Sequence, residues 1–237
     1  MITEEIKSKG FYCNDKLLTA QELSKMQEFV KSKLAEFPNK NFRLYEENFK
    51  NSILDELQFN SKIEELVNKI ILDGYRDYKK KKPNIFKVLR IVSGSKQKEQ
   101  AYLYHFDAHI VTILIPIIIP NNKNKKNGDL VLFPNIRNVH NNLVLNIIQK
   151  IFFQNYFIRN LLKFNSIKKL LNHKILKIKP GNIYAFNGFA SLHGNLEIDV
   201  SSTRATLLVH AYDVFEKSKL VNLNREISMK KENKNIS

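Results

Sequence analysis

The stretch that most constrains the fold is 102–120, YLYHFDAHIVTILIPIIIP, because its second half is an almost unbroken apolar run rich in β-branched residues. Such a short apolar run predicts a buried strand. It is too short to cross a bilayer, and Pro116 and Pro120 interrupt it. We therefore expect the core of the protein to be built around this strand.

Two potential metal ligands, His105 and Asp107, stand two residues apart at the head of this run. Successive side chains on a strand point to opposite faces, so residues i and i+2 share one face. The imidazole and the carboxylate are therefore predicted to reach the same point in space. His109 follows at the same spacing, and we assign it a structural or pocket-lining role because a fourth protein ligand would occupy an open position on the metal.

A third ligand is predicted at His193, in a loop that follows the Pro180–Gly181 turn and a short strand at 182–186. Two imidazoles and one carboxylate form the facial triad of non-haem Fe(II) oxygenases, which leaves three coordination positions open. The same ligands also serve zinc hydrolases, although the sequence has no HExxH motif. Arg204 heads an apolar strand, and a buried guanidinium needs an anionic partner, either a co-substrate or an internal carboxylate.

The pattern of elements changes once along the chain. The first third predicts helices at 2–9, 20–37, 46–58 and 61–73, the second of them preceded by a capping box of Thr19 and Glu22. The rest predicts short strands at 86–92, 102–119, 129–133, 174–179, 182–186 and 204–212, with polar turns at 79–83, 93–95 and 121–128. Helices followed by a series of strands predict an α+β protein containing a barrel or jelly roll.

One domain, 1–237, is expected: a mainly helical part at 1–83, a β core at 84–213 and a tail at 214–237 whose polar end, SMKKENKNIS, is predicted to be disordered. Residues 139–173 interrupt the β pattern with two predicted helices that carry lysines and an arginine but no acidic residue. We favour a helical excursion packed on the core. The alternatives are a lid or a basic amphipathic surface that lies on an anionic membrane.

The formal net charge of +16 suggests an acidic partner, but abundant Lys, Asn, Ile and Phe are also typical of AT-rich genes. No zinc-finger, RNP-type or helix-turn-helix signature is present, so nucleic acid binding is not favoured. A single cysteine, Cys13, rules out an internal disulfide. The chain opens without a secretory signal, and we expect a cytoplasmic protein.

At these residues the sequence resembles the Fe(II)/2-oxoglutarate-dependent dioxygenases, most closely their phytanoyl-CoA dioxygenase-like branch. The resemblance covers about 2–213. The matching segments are His105-Phe106-Asp107, Gly128-Asp129-Leu130, Pro180-Gly181, Leu192-His193-Gly194, Arg204 and the opening EEIKSKGF. The resemblance implies a double-stranded β-helix (a jelly-roll or cupin-like barrel) with N-terminal helices and a helical insert. It also implies Fe(II), 2-oxoglutarate and O₂, with release of succinate and CO₂.

Carried over residue by residue, the resemblance implies iron ligation by His105, Asp107 and His193. It implies polar groups around the co-substrate as well: Arg204 on its C5 carboxylate, and Ser202, Tyr102, Thr112 and Asn187 as pocket residues. The chain departs from the pattern in lacking tryptophan and in carrying the insert at 139–173.

We therefore expect a hydroxylase acting on a small molecule, and the basic composition suggests an anionic one, such as an acyl thioester, a phosphorylated metabolite or an acidic glycan. Three alternatives stay open. They are a prolyl-hydroxylase-like enzyme acting on a peptide, a barrel that binds a ligand without turnover, and a membrane-surface protein that uses the insert.

Overall fold

A computed structural model of the protein describes residues 2–75, 83–93, 100–121 and 126–234. The predicted turns at 79–83, 93–95 and 121–128 lie largely or partly outside these residues. The helices of the described part are α1 (Ile2–Lys9), α2 (Ala20–Glu36), α3 (Leu57–Gly74), α4 (Leu143–Gln154), α5 (Tyr156–Leu161), α6 (Asn165–Leu170) and α7 (Lys219–Lys234). The strands are β1 (Tyr12–Asn14), β2 (Phe42–Tyr45), β3 (Ile85–Val92), β4 (His109–Ile118), β5 (Leu130–Phe133), β6 (Lys174–Leu176), β7 (Ile183–Asn187), β8 (Leu192–Asn195) and β9 (Arg204–Asp213).

The strands form two antiparallel sheets that pack face to face. The larger sheet has the order β1-β7-β4-β9-β3-β2, and the smaller has the order β6-β5-β8. Leu114 and Phe186 of the larger sheet pack against Leu130 and Leu132 of the smaller one. This is the α+β jelly-roll arrangement that the sequence predicted.

The apolar run that dominates the sequence becomes β4, near the centre of the larger sheet. Alternate side chains, including Val111, Ile113 and Ile115, face a core that they share with α2 and α3. Thr112 and Leu114 face the space between the sheets. The strand is buried on both sides, because helices cover one face of the sheet and the second sheet covers the other.

The N-terminal part contributes more to the sheet than the helical prediction allowed. β1 pairs with β7 and β2 pairs with β3, so both edges of the larger sheet come from the first third of the chain. The helix predicted at 46–58 is wrong. It is replaced by two single 3₁₀ turns, Glu46–Asn48 and Ile53–Asp55, because Asn51 between them has a left-handed backbone with φ of 62°.

Two further predictions are corrected by the structure. The insert forms three helices rather than two, since Asn155 caps a new helix directly after α4 through its side chain and the backbone N–H of Ile158. The tail predicted to be disordered is helical as far as Lys234, and α7 is tied to the end of β9 by an ion pair between Arg225 and Asp213. None of the helices that the described ranges contain is long and apolar enough to span a membrane.

Candidate metal centre

His105 and His193 face each other across a two-residue antiparallel bridge. The backbone N–H of each donates to the carbonyl of the other, at 2.9 and 3.0 Å, and their ring centroids lie 4.4 Å apart. His193 therefore lies within β8, and its predicted place in a loop is wrong. His105 precedes β4 rather than belonging to it, so pairing with β8 sets the direction of its side chain.

Asp107 is brought to the two imidazoles by a close backbone approach. Its N–H donates to the carbonyl of Gly188 at 3.0 Å, in the turn between β7 and β8. A Cβ at position 188 would lie 2.1 Å from Thr112 Oγ1 and 2.5 Å from the Asp107 carboxylate. Glycine is thus required at this position for the carboxylate to reach the imidazoles, and the sequence pattern had not singled it out.

The three side chains offer their ligand atoms to one point. Asp107 Oδ1 lies 3.6 Å from His105 Nε2, and Asp107 Oδ2 lies 3.5 Å from His193 Nε2. One ligand atom from each residue lies within 4.8 Å of the others. The spacing agrees with a shared metal ion, and the structure brings together the three residues that the sequence proposed as ligands.

Neighbouring groups fix the orientation of each ligand. His105 Nδ1 donates to the carbonyl of Leu103 at 2.8 Å, and His193 Nδ1 donates to that of Ser191 at 3.0 Å. Since a carbonyl only accepts, the proton sits on Nδ1 and the Nε2 lone pair is available to a metal. Thr112 Oγ1 donates to Asp107 Oδ2 at 2.6 Å, which holds the carboxylate in place.

The electrostatics keep both kinds of ligand in the form that binds metal. Burial lowers the pKa of His105 to about 3, and the neighbouring His193 acts in the same direction against the carboxylate. Burial would raise the pKa of Asp107. The three surrounding histidines, with His193 and His210 acting most strongly, outweigh it and hold that pKa below its usual range. The site thus presents a neutral imidazole and an ionised carboxylate at neutral pH.

The triad lines a cavity of about 480 Å³ between the two sheets. Much of the wall is apolar, from Phe86, Val88, Leu114, Phe186 and Leu208 among others. The charged groups are strongly biased in sign. Within the described part of the chain, the cavity wall contains two acidic residues, Asp107 and Asp213. It contains four arginines and lysines, which are Arg43, Arg90, Lys150 and Arg225.

Arg204 lies buried behind this wall. It donates from Nη1 to the carbonyl of Gly128 at 3.0 Å and from Nη2 to Asn195 Oδ1 at 3.1 Å, while Nε is buried without a hydrogen-bond partner in the described part of the chain. Burial lowers its pKa to about 10. No internal carboxylate among the described residues pairs with it, and Asn195 links it to the cavity.

Arg90 is a second guanidinium near Arg204 and is half-buried. It lines the cavity from β3 and donates to Gln100 Oε1 at 2.9 Å. Burial, followed by the charges of Arg204 and Arg43, lowers its pKa to about 9. Arg204 and Arg90 therefore create a strongly positive region without a carboxylate partner in the described residues, which suits an anionic ligand.

The other predicted pocket residues do not line the cavity. Thr112 orients Asp107. Asn187 instead binds Tyr75 and the backbone of Ala190, which shapes the turn before β8. Tyr102 lies beneath the ammonium of Lys163, and Ser202 belongs to the turn before β9.

His210, which lies within β9, borders the site. Its Nδ1 lies 3.2 Å from Thr112 Oγ1 and 3.7 Å from Asp107 Oδ2, and its ring stacks on His109 at 5.1 Å. A signal for it was present, because residues 204, 206, 208 and 210 share one face of β9. Lys150 offered no comparable signal, since it comes from a helix outside the β pattern.

Solved structures of iron- and 2-oxoglutarate-dependent oxygenases share this fold. A Pseudomonas putida prolyl-4-hydroxylase matches with a TM-score of 0.57 at 11% identity, over 89% of this chain and 96% of that one. EctD from S. alaskensis, with bound Fe, matches with a TM-score of 0.59 at 12% identity, over 89% and 75% of the two chains. The epimerase SnoN, in complex with Fe³⁺, alpha ketoglutarate and nogalamycin RO, matches with a TM-score of 0.56 at 9% identity, over 90% and 82%.

These similarities confirm the double-stranded β-helix fold. The sequence itself matches no protein-family model and no curated protein. At 9 to 12% identity these similarities show that the fold is shared and nothing more. The activity has to be inferred from the chemistry of the site.

Proposed function

We propose that the protein is a cytoplasmic Fe(II)- and 2-oxoglutarate-dependent oxygenase that hydroxylates a small molecule. The observation that carries the proposal is the set of two imidazole nitrogens and one carboxylate around a single point, with both imidazoles oriented through Nδ1 by backbone carbonyls. This donor set is typical of non-haem Fe(II) oxygenases. The described residues provide no fourth ligand of this kind, which agrees with a metal that keeps positions open for substrates.

His105, Asp107 and His193 would hold the metal. When bound there, Fe(II) supplies the activation of O₂ that is coupled to oxidative decarboxylation of 2-oxoglutarate. The protein's part is to fix the ligands and to exclude water from the reacting atoms. Phe186 performs part of that role, because its ring lies 4.9 Å from that of His193 and faces the cavity.

Arg204 and Arg90 would bind the co-substrate. 2-Oxoglutarate carries two carboxylates, and one can chelate a metal while the other needs a cationic partner. Arg204 has a buried Nε without a hydrogen-bond partner among the described residues, and Arg90 reaches the same region from β3. A guanidinium can hold a carboxylate through two parallel hydrogen bonds, which lysine cannot do. We therefore assign the distal carboxylate to Arg204 with support from Arg90.

Lys150 favours a substrate that carries an anionic group. Its side chain enters the cavity from α4 and has no hydrogen-bond or ion-pair partner among the described residues. Burial lowers its pKa, while Asp107 acts in the opposite direction. Arg225 also lines the cavity, and its Nη2 is buried without a partner in the described part of the chain. An acyl thioester, as in the phytanoyl-CoA dioxygenase-like branch, and a phosphorylated metabolite both fit this environment.

A second candidate is a prolyl-hydroxylase-like enzyme that acts on a peptide, and the similarity to the Pseudomonas putida prolyl-4-hydroxylase supports it. Succinate release measured with prolyl peptides and with anionic small molecules separates the two candidates. Turnover of peptides alone would favour the second one. Loss of the response to anionic compounds in Lys150→Met, with uncoupled 2-oxoglutarate turnover retained, would support the first.

The metal assignment is tested by iron binding and by succinate release from the iron-loaded protein under O₂. Asp107→Ala should abolish both, because it removes a ligand and leaves two imidazoles. His173→Ala is the matched control, since this histidine lies outside the cavity lining, and it should retain both. Stoichiometric iron binding by Asp107→Ala, or no 2-oxoglutarate turnover by the loaded parent protein, would refute the assignment.

The co-substrate assignment is tested separately. Arg204→Met should raise the KM for 2-oxoglutarate by about a hundredfold while iron binding is retained, because a charge-assisted pair of hydrogen bonds is lost. Arg90→Met should have a smaller effect in the same direction. An unchanged KM in both variants would place the carboxylate elsewhere.

A further inference from the structure

Helix α4 has its polar face inside and its apolar face outside, the reverse of an ordinary surface helix. Asn146 is buried and Lys150 enters the cavity. On the opposite side the side chains are large, apolar and exposed, between 39% and 67% for Val144, Leu145, Ile147, Ile148, Ile151 and Phe152. At 100° per residue these six occupy one continuous side of the helix. One large apolar residue, Phe153, also faces inward, with its ring 5.5 Å from that of Phe106, so the inner side is mixed while the outer side is wholly apolar.

A buried cation beneath α4 explains the orientation. The guanidinium of Arg137 lies between the rings of Phe106 and Phe189, at 3.9 and 4.0 Å. It donates to Asn146 Oδ1 at 3.0 Å and to Gln149 Oε1 at 2.9 Å. Because a buried guanidinium must find acceptors, the amide side chains of α4 turn inward and the apolar side turns out.

The exposed apolar surface continues into α5. Tyr156 and Phe157 follow directly after the Asn155 cap and are 83% and 73% exposed. We call these two residues and the six exposed residues of α4 the apolar face. A continuous exposed apolar face is unusual in a monomeric soluble protein and marks a surface that contacts another phase or molecule.

The charge of the segment that carries the apolar face indicates its partner. The sequence contains no aspartate or glutamate from 134 to 196. Lys163 and Lys169 are exposed in and beside α6, next to the exposed apolar side chains of Phe164 and Leu170. Apolar side chains flanked by lysines, without acidic residues, match the acyl and headgroup layers of an anionic membrane.

We propose that α4 and α5 dock the protein on an anionic lipid surface through the apolar face. α4 has 12 residues, which is too short to span a bilayer, so the helix lies in the plane of the interface. The polar side of α4 stays bound to Arg137 in this arrangement, and Lys150 keeps its place in the cavity. The docking does not depend on the proposed oxygenase activity.

The test is co-sedimentation of the full chain with vesicles of phosphatidylcholine alone and of phosphatidylcholine with phosphatidylserine. We expect binding to the anionic vesicles, weaker binding to the neutral ones, and a decrease as salt is raised. Ile148→Ser and Phe152→Ser should each weaken binding by about tenfold, since each removes one inserted side chain. Leu57→Ser, at an 82% exposed leucine on α3, is the matched control and should bind like the parent.

Sedimentation velocity without lipid, on the same variants, distinguishes a membrane from a second copy of the chain. A concentration-dependent dimer that Ile148→Ser disrupts would overturn the proposal in favour of self-association. Absence of vesicle binding by the parent, or equal binding by the parent and both serine variants, would overturn it as well. Lys163→Gln with Lys169→Gln should reduce the preference for phosphatidylserine without removing the residual binding to neutral vesicles.

Discussion

Helices α3 and α4 are both amphipathic, yet they face the protein in opposite ways. α3 buries six apolar residues, from Phe59 to Ile71, against the larger sheet and exposes Glu64, Glu65 and Lys69. α4 buries Asn146 and exposes its isoleucines. Both helices satisfy the same periodicity rule.

The surface beneath each helix decides which face turns inward. α3 belongs to an apolar cluster that includes isoleucines of β4, and only apolar side chains can cover such a surface favourably. Under α4 lies Arg137, whose guanidinium needs oxygen acceptors. The spacing of apolar residues in the sequence therefore shows that a helix has two faces, and the neighbouring side chains determine which of them turns inward.

The largest difference between the helices is expected in the free energy of unfolding when an isoleucine of each is replaced by alanine. Ile63 on α3 is 1% exposed, whereas Ile151 on α4 is 67% exposed. Ile63→Ala should lower the free energy of unfolding by about 2–5 kcal/mol because it leaves a cavity. Ile151→Ala should change it by less than about 0.5 kcal/mol. Urea titration checks both, and comparable losses would mean that α4 packs its apolar side after all.

Removing the cation beneath α4 should release that helix while α3 stays in place. Arg137→Met leaves the Asn146 amide oxygen and the Phe189 carbonyl without their donor and removes one of the two partners of Gln149, the other being His140, and we expect a loss of about 2 kcal/mol. Limited proteolysis should then cut within 139–173 before it cuts in α3. Lys163→Met, which removes an exposed cation from the same insert, is the control. Unchanged proteolysis of Arg137→Met would show that α4 is held by other contacts.

Replacing a lysine on each of the two helices should change the free energy of unfolding in opposite directions. Lys62 on α3 pairs with Glu22 at 2.7 Å, whereas Lys150 on α4 lacks an ion-pair partner among the described residues. Lys150→Met should raise the free energy of unfolding by about 1 kcal/mol, because it removes a poorly solvated charge. Lys62→Met should lower it slightly. Destabilisation by Lys150→Met in urea titration would contradict a binding role for that ammonium.

The fold was predictable from the sequence to the extent that local rules decided it. The capping box at Thr19 and the apolar run of β4 gave correct elements, since each depends on neighbouring residues alone. The strand β8 was missed because LHGN has no strand-like alternation. Its pairing with β5 and with His105 makes it a strand. The inversion of α4 also depends on a distant residue, Arg137.

In the candidate site, too, some features follow from the local sequence and others depend on distant residues. His105, Asp107, His193 and the buried Arg204 were proposed from residue type and spacing, and the structure brings the first three together. Strand alternation was the wrong reason for the proximity of His105 and Asp107, because a bridge to β8 and the backbone of Gly188 place them. Lys150 could not be predicted, since its position depends on how the insert folds back over the cavity.

The smallest expected effect concerns stability at low pH. The carboxylate of Glu22 links α2 to α3, whereas α4 contains no acidic residue. Glu22 accepts from the backbone N–H of Thr19 at 2.8 Å and from Lys62 at 2.7 Å. Burial alone would raise the pKa of Glu22, but these hydrogen bonds outweigh burial and hold the pKa below its usual value.

A carboxylate whose pKa is lower in the folded state than in the unfolded state stabilises the fold at pH values above the unfolded-state pKa. That stabilisation is lost as pH falls through the folded-state pKa. Glu22→Gln should therefore be less stable than the parent by about 0.5 kcal/mol at pH 7, and the difference should shrink below about pH 4. Urea titrations between pH 3 and 7 measure this, with Glu64→Gln on the exposed side of α3 as the control. A difference that stayed constant across this range would mean that Glu22 contributes through packing rather than through its charge.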